Sequence, residues 1–124
     1  MSHPVTYADD DPYLAEIRRL ALALPEAVER LAWGRPTFRA GSKGKMFAIF
    51  ERSSVLVVKP EPDERDALLA DPRFSAPAYW GPSGWLGLNL LASRVELAEV
   101  SELLEASYRQ VALRRQITAL DSLV

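Results

Sequence analysis

A run of basic side chains in the first half of the chain has the residue types and spacing that most directly suggest a binding chemistry. Five positive residues and no acidic one lie between positions 29 and 51. The five are Arg30, Arg35, Arg39, Lys43 and Lys45. A basic β-ribbon can contact phosphates, and each such contact releases a condensed counterion. The segment is therefore a candidate wing for phosphate contact, in which Arg35, Arg39, Lys43 and Lys45 would hold a nucleic-acid backbone without reading sequence.

Two other interpretations of the basic segment stay open. An ordinary charged turn that keeps an exposed strand edge soluble is the favoured interpretation, and an anionic partner other than nucleic acid is a further alternative. The formal net charge of the chain is −2, whereas domains that coat nucleic acid by bulk charge are strongly basic. DNA binding would thus depend on local clustering of charge.

Aromatic side chains form the second candidate feature. Trp85 alternates with Gly87 in a strand-like segment, which fits a core position. Tyr79 and Trp80 stand together in a loop rich in proline and glycine, where they are either buried under the loop or exposed as a binding patch. Burial is the favoured interpretation. The alternative is a partner site at Tyr79 and Trp80, in which loop 79–85 binds a protein or a small molecule with little dependence on salt.

Signals for catalysis are weak throughout the chain. There is no cysteine, and the one histidine, His3, lies in the N-terminal tail, so no Ser-His-Asp or Cys-His arrangement can form within the folded body. Ser42 and Lys45 match a bare Ser-x-x-Lys spacing, but a strand and not a helix is expected to follow them. We predict a non-enzymatic protein with no catalytic residue, no metal ligand and no cofactor.

Composition is that of one globular domain. The chain has 124 residues, of which 48% are hydrophobic and 26% charged. No apolar run approaches the length of a membrane span, and the first eleven residues contain no basic or apolar run typical of a targeting signal. We expect a single domain over 1–124, with loose tails at 1–10 and 116–124. We also expect a cytoplasmic protein that does not contact membranes and that is a monomer or a weak homodimer.

The order of elements is predicted as α-β-β-β-β-α-β-α, an α+β fold with helices packed on an antiparallel sheet. Asp11-Pro12 is a typical helix start, and Pro25 ends that helix. Three or four strands follow between Val28 and Lys59, with a turn at 33–36, a strand at 37–40 and a flexible hairpin connection at 41–44.

The second half of the chain continues with a short acidic helix at 63–69 and a packed loop at 72–84 that could include a short strand at Phe74. A strand at 85–90 follows. Ser93 and Glu96 match a capping box for the last helix. That helix is expected to extend to Arg114 and Arg115, and the Ser107 hydroxyl is expected to bond the backbone carbonyl one turn earlier.

Several short segments in a fixed order resemble the MmcQ/YjbR-like family of small bacterial proteins. The likeness runs from about residue 20 to residue 115. Its segments are Leu24-Pro25-Glu26-Ala27, Trp33-Gly34-Arg35-Pro36-Thr37-Phe38, Lys45-Met46-Phe47-Ala48, Val57-Val58-Lys59-Pro60, Trp85, Leu103-Leu104 and Ala106-Ser107-Tyr108. The order and spacing of these segments carry the resemblance, since no single one of them is specific.

This resemblance implies a compact α+β fold with an antiparallel sheet between helices, described as a double wing. Family members are regarded as DNA-binding because the fold is similar to a phage transcription-factor domain, which is an argument from fold alone. Many relatives carry a basic or histidine-containing run just before the late tryptophan. Here Pro82-Ser83-Gly84 stands at that place, which weakens the expectation of DNA binding.

Overall fold

The computed structural model describes residues 4–5 and 7–123 and shows an α+β fold. The helices are α1 (Pro12–Leu22), α2 (Arg65–Leu69), α3 (Leu97–Val111) and α4 (Arg114–Asp121), with a 3₁₀ turn at Gly81–Ser83. The strands are β1 (Val28–Ala32), β2 (Arg35–Arg39), β3 (Met46–Glu51), β4 (Val55–Val58), β5 (Phe74–Ser75) and β6 (Leu86–Asn89). His3 lies outside the described residues.

All six strands form one sheet in the order β1-β2-β3-β4-β6-β5, and every neighbouring pair is antiparallel. The first four strands follow one another through hairpins, as the sequence predicts. Strand β6 then pairs with β4, and β5 lies outside β6. Because β6 pairs with β4, the loop between β5 and β6 lies beside strands that come much earlier in the sequence.

The two faces of the sheet differ. One face is covered by helices, and all four helices contribute to the cluster that packs on it, through side chains such as Ile17, Leu68, Leu104 and Leu120. The opposite face, called the open face below, carries a smaller cluster of Ile49, Val57 and Trp85. The fold class is therefore as predicted, but the helices lie on one side of the sheet and do not enclose it.

Helix α1 begins as the sequence predicts. The Asp11 carboxylate accepts hydrogen bonds from the amides of Tyr13 and Leu14, at 2.8 and 3.4 Å, and Pro12 occupies the first turn. The other Asp11 oxygen accepts from the Ser54 hydroxyl at 2.8 Å. One side chain thus both caps the helix and ties it to the turn between β3 and β4.

The end of the chain differs from the prediction. Glu96 is the residue before α3 and no side chain caps that helix, so the expected capping box does not form. Helix α3 ends at Val111 because Ala112 has extended backbone angles. Arg114 and Arg115 instead begin α4, which occupies most of the segment expected as a C-terminal tail. The Leu120 side chain of α4 joins the core.

Ser107 is also placed differently from the prediction. Its hydroxyl donates to the Phe47 carbonyl at 2.6 Å and accepts from the Lys59 amide at 3.0 Å. The side chain is fully buried. Ser107 therefore connects α3 to β3 and to the end of β4, and it does not bond a carbonyl of its own helix.

Strand boundaries shift by a few residues from the expected ones. The turn predicted at 33–36 is confined to Trp33 and Gly34, and β2 already begins at Arg35. The late strand begins at Leu86 rather than at residue 85. Within the described part of the chain, none of the helices has the length and apolar character needed to span a membrane.

Candidate functional site

A groove on the open face of the sheet is the site best suited to hold a ligand. Its floor is formed by Val55, Val57 and Gly87, which alternation along β4 and β6 directs to the open face. Aromatic side chains of two loops form its wall. The volume is about 720 Å³, within the range typical of small-molecule sites. We call this site the aromatic groove.

The wall of the aromatic groove consists of three aromatic rings in contact. The indoles of Trp33 and Trp80 are 6.0 Å apart, centroid to centroid, with their planes inclined by 60°. The Tyr79 ring meets Trp80 edge-on, at 5.4 Å and 82°. Tyr79 is 80% exposed and Trp33 39% exposed. The expected burial of Tyr79 is therefore wrong, because this loop turns its ring outward beside the groove. Trp80 is half-buried.

Trp33 reaches the groove because of the turn that holds it. Ala32 pairs with Arg35, so only Trp33 and Gly34 connect β1 to β2. Both have positive φ angles, 55° and 75°, as a two-residue hairpin turn requires. A Cβ atom at Gly34 would lie 2.0 Å from the Pro4 carbonyl oxygen, so the position also needs glycine for space.

Arg35 joins the parts of the groove wall together. Its Nε donates to Glu51 Oε1 at 2.7 Å, and its Nη1 donates to the Trp33 carbonyl at 2.6 Å. The guanidinium carbon stands 5.7 Å from the Trp80 ring centroid, a cation–π distance. The Arg35 and Glu51 side chains are each 19% exposed. This arginine, predicted to contact phosphate, is here bound to a carboxylate at the groove.

The turn between β3 and β4 adds a second arginine. Arg52 lines the groove and is exposed, and its backbone amide donates to Glu51 Oε1 at 3.1 Å. No ion pair among residues 4–5 and 7–123 includes Arg52. The polar side of the groove therefore has one neutralised arginine and one available arginine.

The other predicted nucleic-acid residues lie together at the opposite end of β2. Arg39 ends that strand, and Lys43 and Lys45 are exposed in the connection to β3. We call residues 39–45 the basic hairpin. Arg30 holds its turn by donating to the Ser42 carbonyl at 2.7 Å. The structure thus brings three of the four predicted residues together and separates Arg35 from them.

The basic hairpin is compact and carries unpaired cations. The Ala40 amide donates to the Lys45 carbonyl at 3.0 Å, and a Cβ atom at Gly44 would lie 1.9 Å from the Ala40 carbonyl oxygen. Arg39 Nε is buried without a hydrogen-bond partner. In the described chain no acidic side chain forms an ion pair with Arg39, Lys43 or Lys45.

Sequence reasoning missed several groove residues. The sequence pattern assigns Glu51 and Arg52 only to a polar turn. It assigns Val55 and Val57 only to apolar strand positions. The available signal was alternation, because Val55 and Val57 must share one face of β4. Which face that is, and that no helix covers it, depends on the tertiary arrangement. No cluster of residues suited to hold a metal ion occurs within the described ranges.

Comparison with known proteins identifies the family. The YjbR family model matches residues 22–110, which is most of the chain. A crystal structure of a Deinococcus radiodurans protein with a DUF419 domain shares the fold, at a TM-score of 0.68 and 23% identity. That likeness covers 77% of this chain and 75% of the other. No curated protein matches the chain significantly. The chain belongs to the YjbR family.

Proposed function

We propose that this protein is a non-enzymatic binding module whose ligand site is the aromatic groove. The observation that carries the proposal is the exposure of Trp33 and Tyr79 around an apolar floor on a sheet face that the helices leave open. Exposed aromatic side chains that line a concave site are typical of binding surfaces. The ligand is a small molecule with an aromatic ring, which can stack on these side chains.

The state of Glu51 supports a binding role over a catalytic one. A general base needs a carboxylate free to take a proton from the substrate. Glu51 Oε1 already accepts hydrogen bonds from Arg35 Nε and from the Arg52 amide, at 2.7 and 3.1 Å. Glu51 is the one acidic side chain of the groove lining among the described residues, and its Oε1 is thus engaged in holding the wall.

The test is a ligand-observed NMR titration with indole and with quinoline. We expect both compounds to bind, and Tyr79→Ala to weaken binding about two- to ten-fold, as the loss of one ring contact predicts. Tyr79 is 80% exposed, so this variant should fold normally. Tyr13→Ala is the matched control, because Tyr13 is exposed on α1 and does not line the groove. The proposal fails if neither compound binds, or if both Tyr79→Ala and Trp80→Ala bind like the wild type.

DNA binding by the basic hairpin is the second candidate function. It is favoured by the cations of Arg39, Lys43 and Lys45, which form no ion pair with any described residue. These side chains would contact phosphates, and affinity would fall as salt rises. Arg35 no longer belongs to this candidate site, since its guanidinium is bonded to Glu51.

Fluorescence anisotropy of a labelled mixed-sequence duplex tests this second candidate. Binding should weaken with salt and should be lost in the double variant Lys43→Ala, Lys45→Ala. A control that combines Arg19→Ala and Arg94→Ala removes the same charge at exposed positions outside both the hairpin and α4, which contacts the hairpin through Gln116, and should bind normally. Absence of binding at low salt and tens of micromolar protein would reject DNA as a ligand.

A further inference from the structure

We propose that the ligand of the aromatic groove is a planar aromatic molecule that carries one negative charge, held by Arg52. This inference rests on the proposed function, because it assumes that the groove is a binding site. It adds the chemical class of the ligand and assigns the group that recognises its charge.

The charges that line the groove determine the sign of the charge expected on the ligand. Among the described residues, three ionisable side chains line the groove beside its rings, namely Arg35, Glu51 and Arg52. Arg35 and Glu51 form an ion pair at 2.7 Å and neutralise one another. Arg52 has no such partner among the described residues. The described part of the lining therefore has a net charge of +1, which favours a monoanion and disfavours a cation.

The shape of the floor favours a flat molecule. Gly87 stands opposite Val57 on one side and Ser75 on the other, so the middle of the floor has no side chain. A Cβ atom there would lie 3.0 Å from Val55 Cγ1 and would also enter the groove. A ring can lie against this floor and still contact the aromatic wall, where offset and edge-on contacts are the favourable ones.

The backbone that carries Arg52 is held in place. Its amide donates to Glu51 Oε1, and two residues later the Ser54 hydroxyl donates to Asp11 at 2.8 Å. The Ser54 carbonyl accepts from the Leu90 amide at 3.0 Å. Three hydrogen bonds thus hold the turn in place. The Arg52 guanidinium is available to bind an anion at the mouth of the groove. An arginine can form two parallel hydrogen bonds to a carboxylate.

A series of three probes of equal shape and different charge tests the inference. The probes are 2-naphthoate, 2-naphthamide and 2-naphthylmethylammonium, and dissociation constants come from NMR titrations of the full chain. We expect 2-naphthoate to bind about five-fold more tightly than the amide, as for one exposed ion pair, and the cation to bind most weakly. Arg52→Gln should remove the difference between anion and amide. Arg114→Gln, which removes an exposed arginine on α4, should preserve it.

The outcomes separate this inference from the proposed function. If all three probes bind equally to the groove, or if Arg52→Gln leaves the preference for 2-naphthoate unchanged, the assignment of an anionic ligand is wrong and the groove remains a binding site. If no probe binds, both the ligand class and the proposed function are wrong. A preference for the cation would also overturn the inference, because it would show that Glu51 and not Arg52 governs recognition.

Discussion

Replacing Ser107 with alanine removes a polar connection from the centre of the molecule. The hydroxyl bridges two backbone groups of the sheet, donating to the Phe47 carbonyl and accepting from the Lys59 amide. Ser107 has no exposed surface, so water cannot readily take its place. Alanine keeps the helix of α3, since its helix propensity is the highest of all residues. The variant therefore tests the bridge itself.

The size of the effect follows from the two groups left behind. A buried donor or acceptor that loses its partner costs about 1–3 kcal/mol. For Phe47 and Lys59 together we expect the free energy of unfolding to fall by about 2–6 kcal/mol, a large part of the 5–15 kcal/mol typical of a domain. Had the hydroxyl only bonded a carbonyl of its own helix, the loss would be small, because that carbonyl keeps its backbone partner.

Urea unfolding followed by circular dichroism measures this loss, with Ser101→Ala as the matched control. Ser101 is exposed on the same helix and should change stability by about 0.5 kcal/mol or less. The melting temperature of Ser107→Ala should fall by about 3–6 °C for each kcal/mol lost. If Ser107→Ala is as stable as Ser101→Ala, the Ser107 bridge between α3 and the sheet does not stabilise the fold, and the reasoning from its geometry is wrong.

Three further predictions concern the helix cap, the groove floor and the loss of stability at acidic pH. Asp11→Ala should cost about 1–2 kcal/mol in urea unfolding, since it removes the cap of α1 and the acceptor for Ser54. Gly87→Ala should leave the fold intact but weaken indole binding in NMR titrations, because its Cβ would stand on the groove floor. Hydrogen bonds from Arg115 and then Gln116 hold the pKa of Glu26 below its usual 4.5, so this stabilisation is present above pH 4.5 and is lost as pH falls through the lowered value. Glu26→Gln should reduce the loss of stability in acid, measured by thermal melts between pH 6 and pH 2.5.

Local signals explain why the first half of the fold could be predicted. Asp11-Pro12 marks a helix start by its own chemistry, and the glycines near 34, 41 and 44 mark the tight connections of a meander. These features act within a few residues of one another. They specify four strands in the right order without any knowledge of tertiary contacts.

The end of the chain could not be predicted in the same way. The break between α3 and α4 falls at Ala112 and Leu113, where neither glycine nor proline marks a helix end. It is stabilised by Gln116, whose side chain accepts from the Leu113 amide and donates to the Ala40 carbonyl. Since Ala40 lies far away in the sequence, only the folded state shows this stabilisation.

The aromatic groove likewise depends on contacts between residues that are far apart in the sequence. Trp33 and Trp80 meet because β6 pairs with β4 and brings its preceding loop over the open face. The sequence shows both tryptophans and both arginines of the groove, Arg35 and Arg52, but not that they surround one cavity. The basic hairpin, by contrast, was predictable because its residues are neighbours along the chain.

The most direct test of the aromatic groove as a ligand site is a ¹H–¹⁵N NMR spectrum recorded with and without indole. The chain has three tryptophans, so three indole N–H signals report on the open face. We predict that the signals of Trp33 and Trp80 shift on titration, together with the Gly87 amide, while the amides of the basic hairpin at Lys43 and Lys45 do not. Shifts confined to the hairpin, or no shift at millimolar indole, would contradict a ligand site in the aromatic groove.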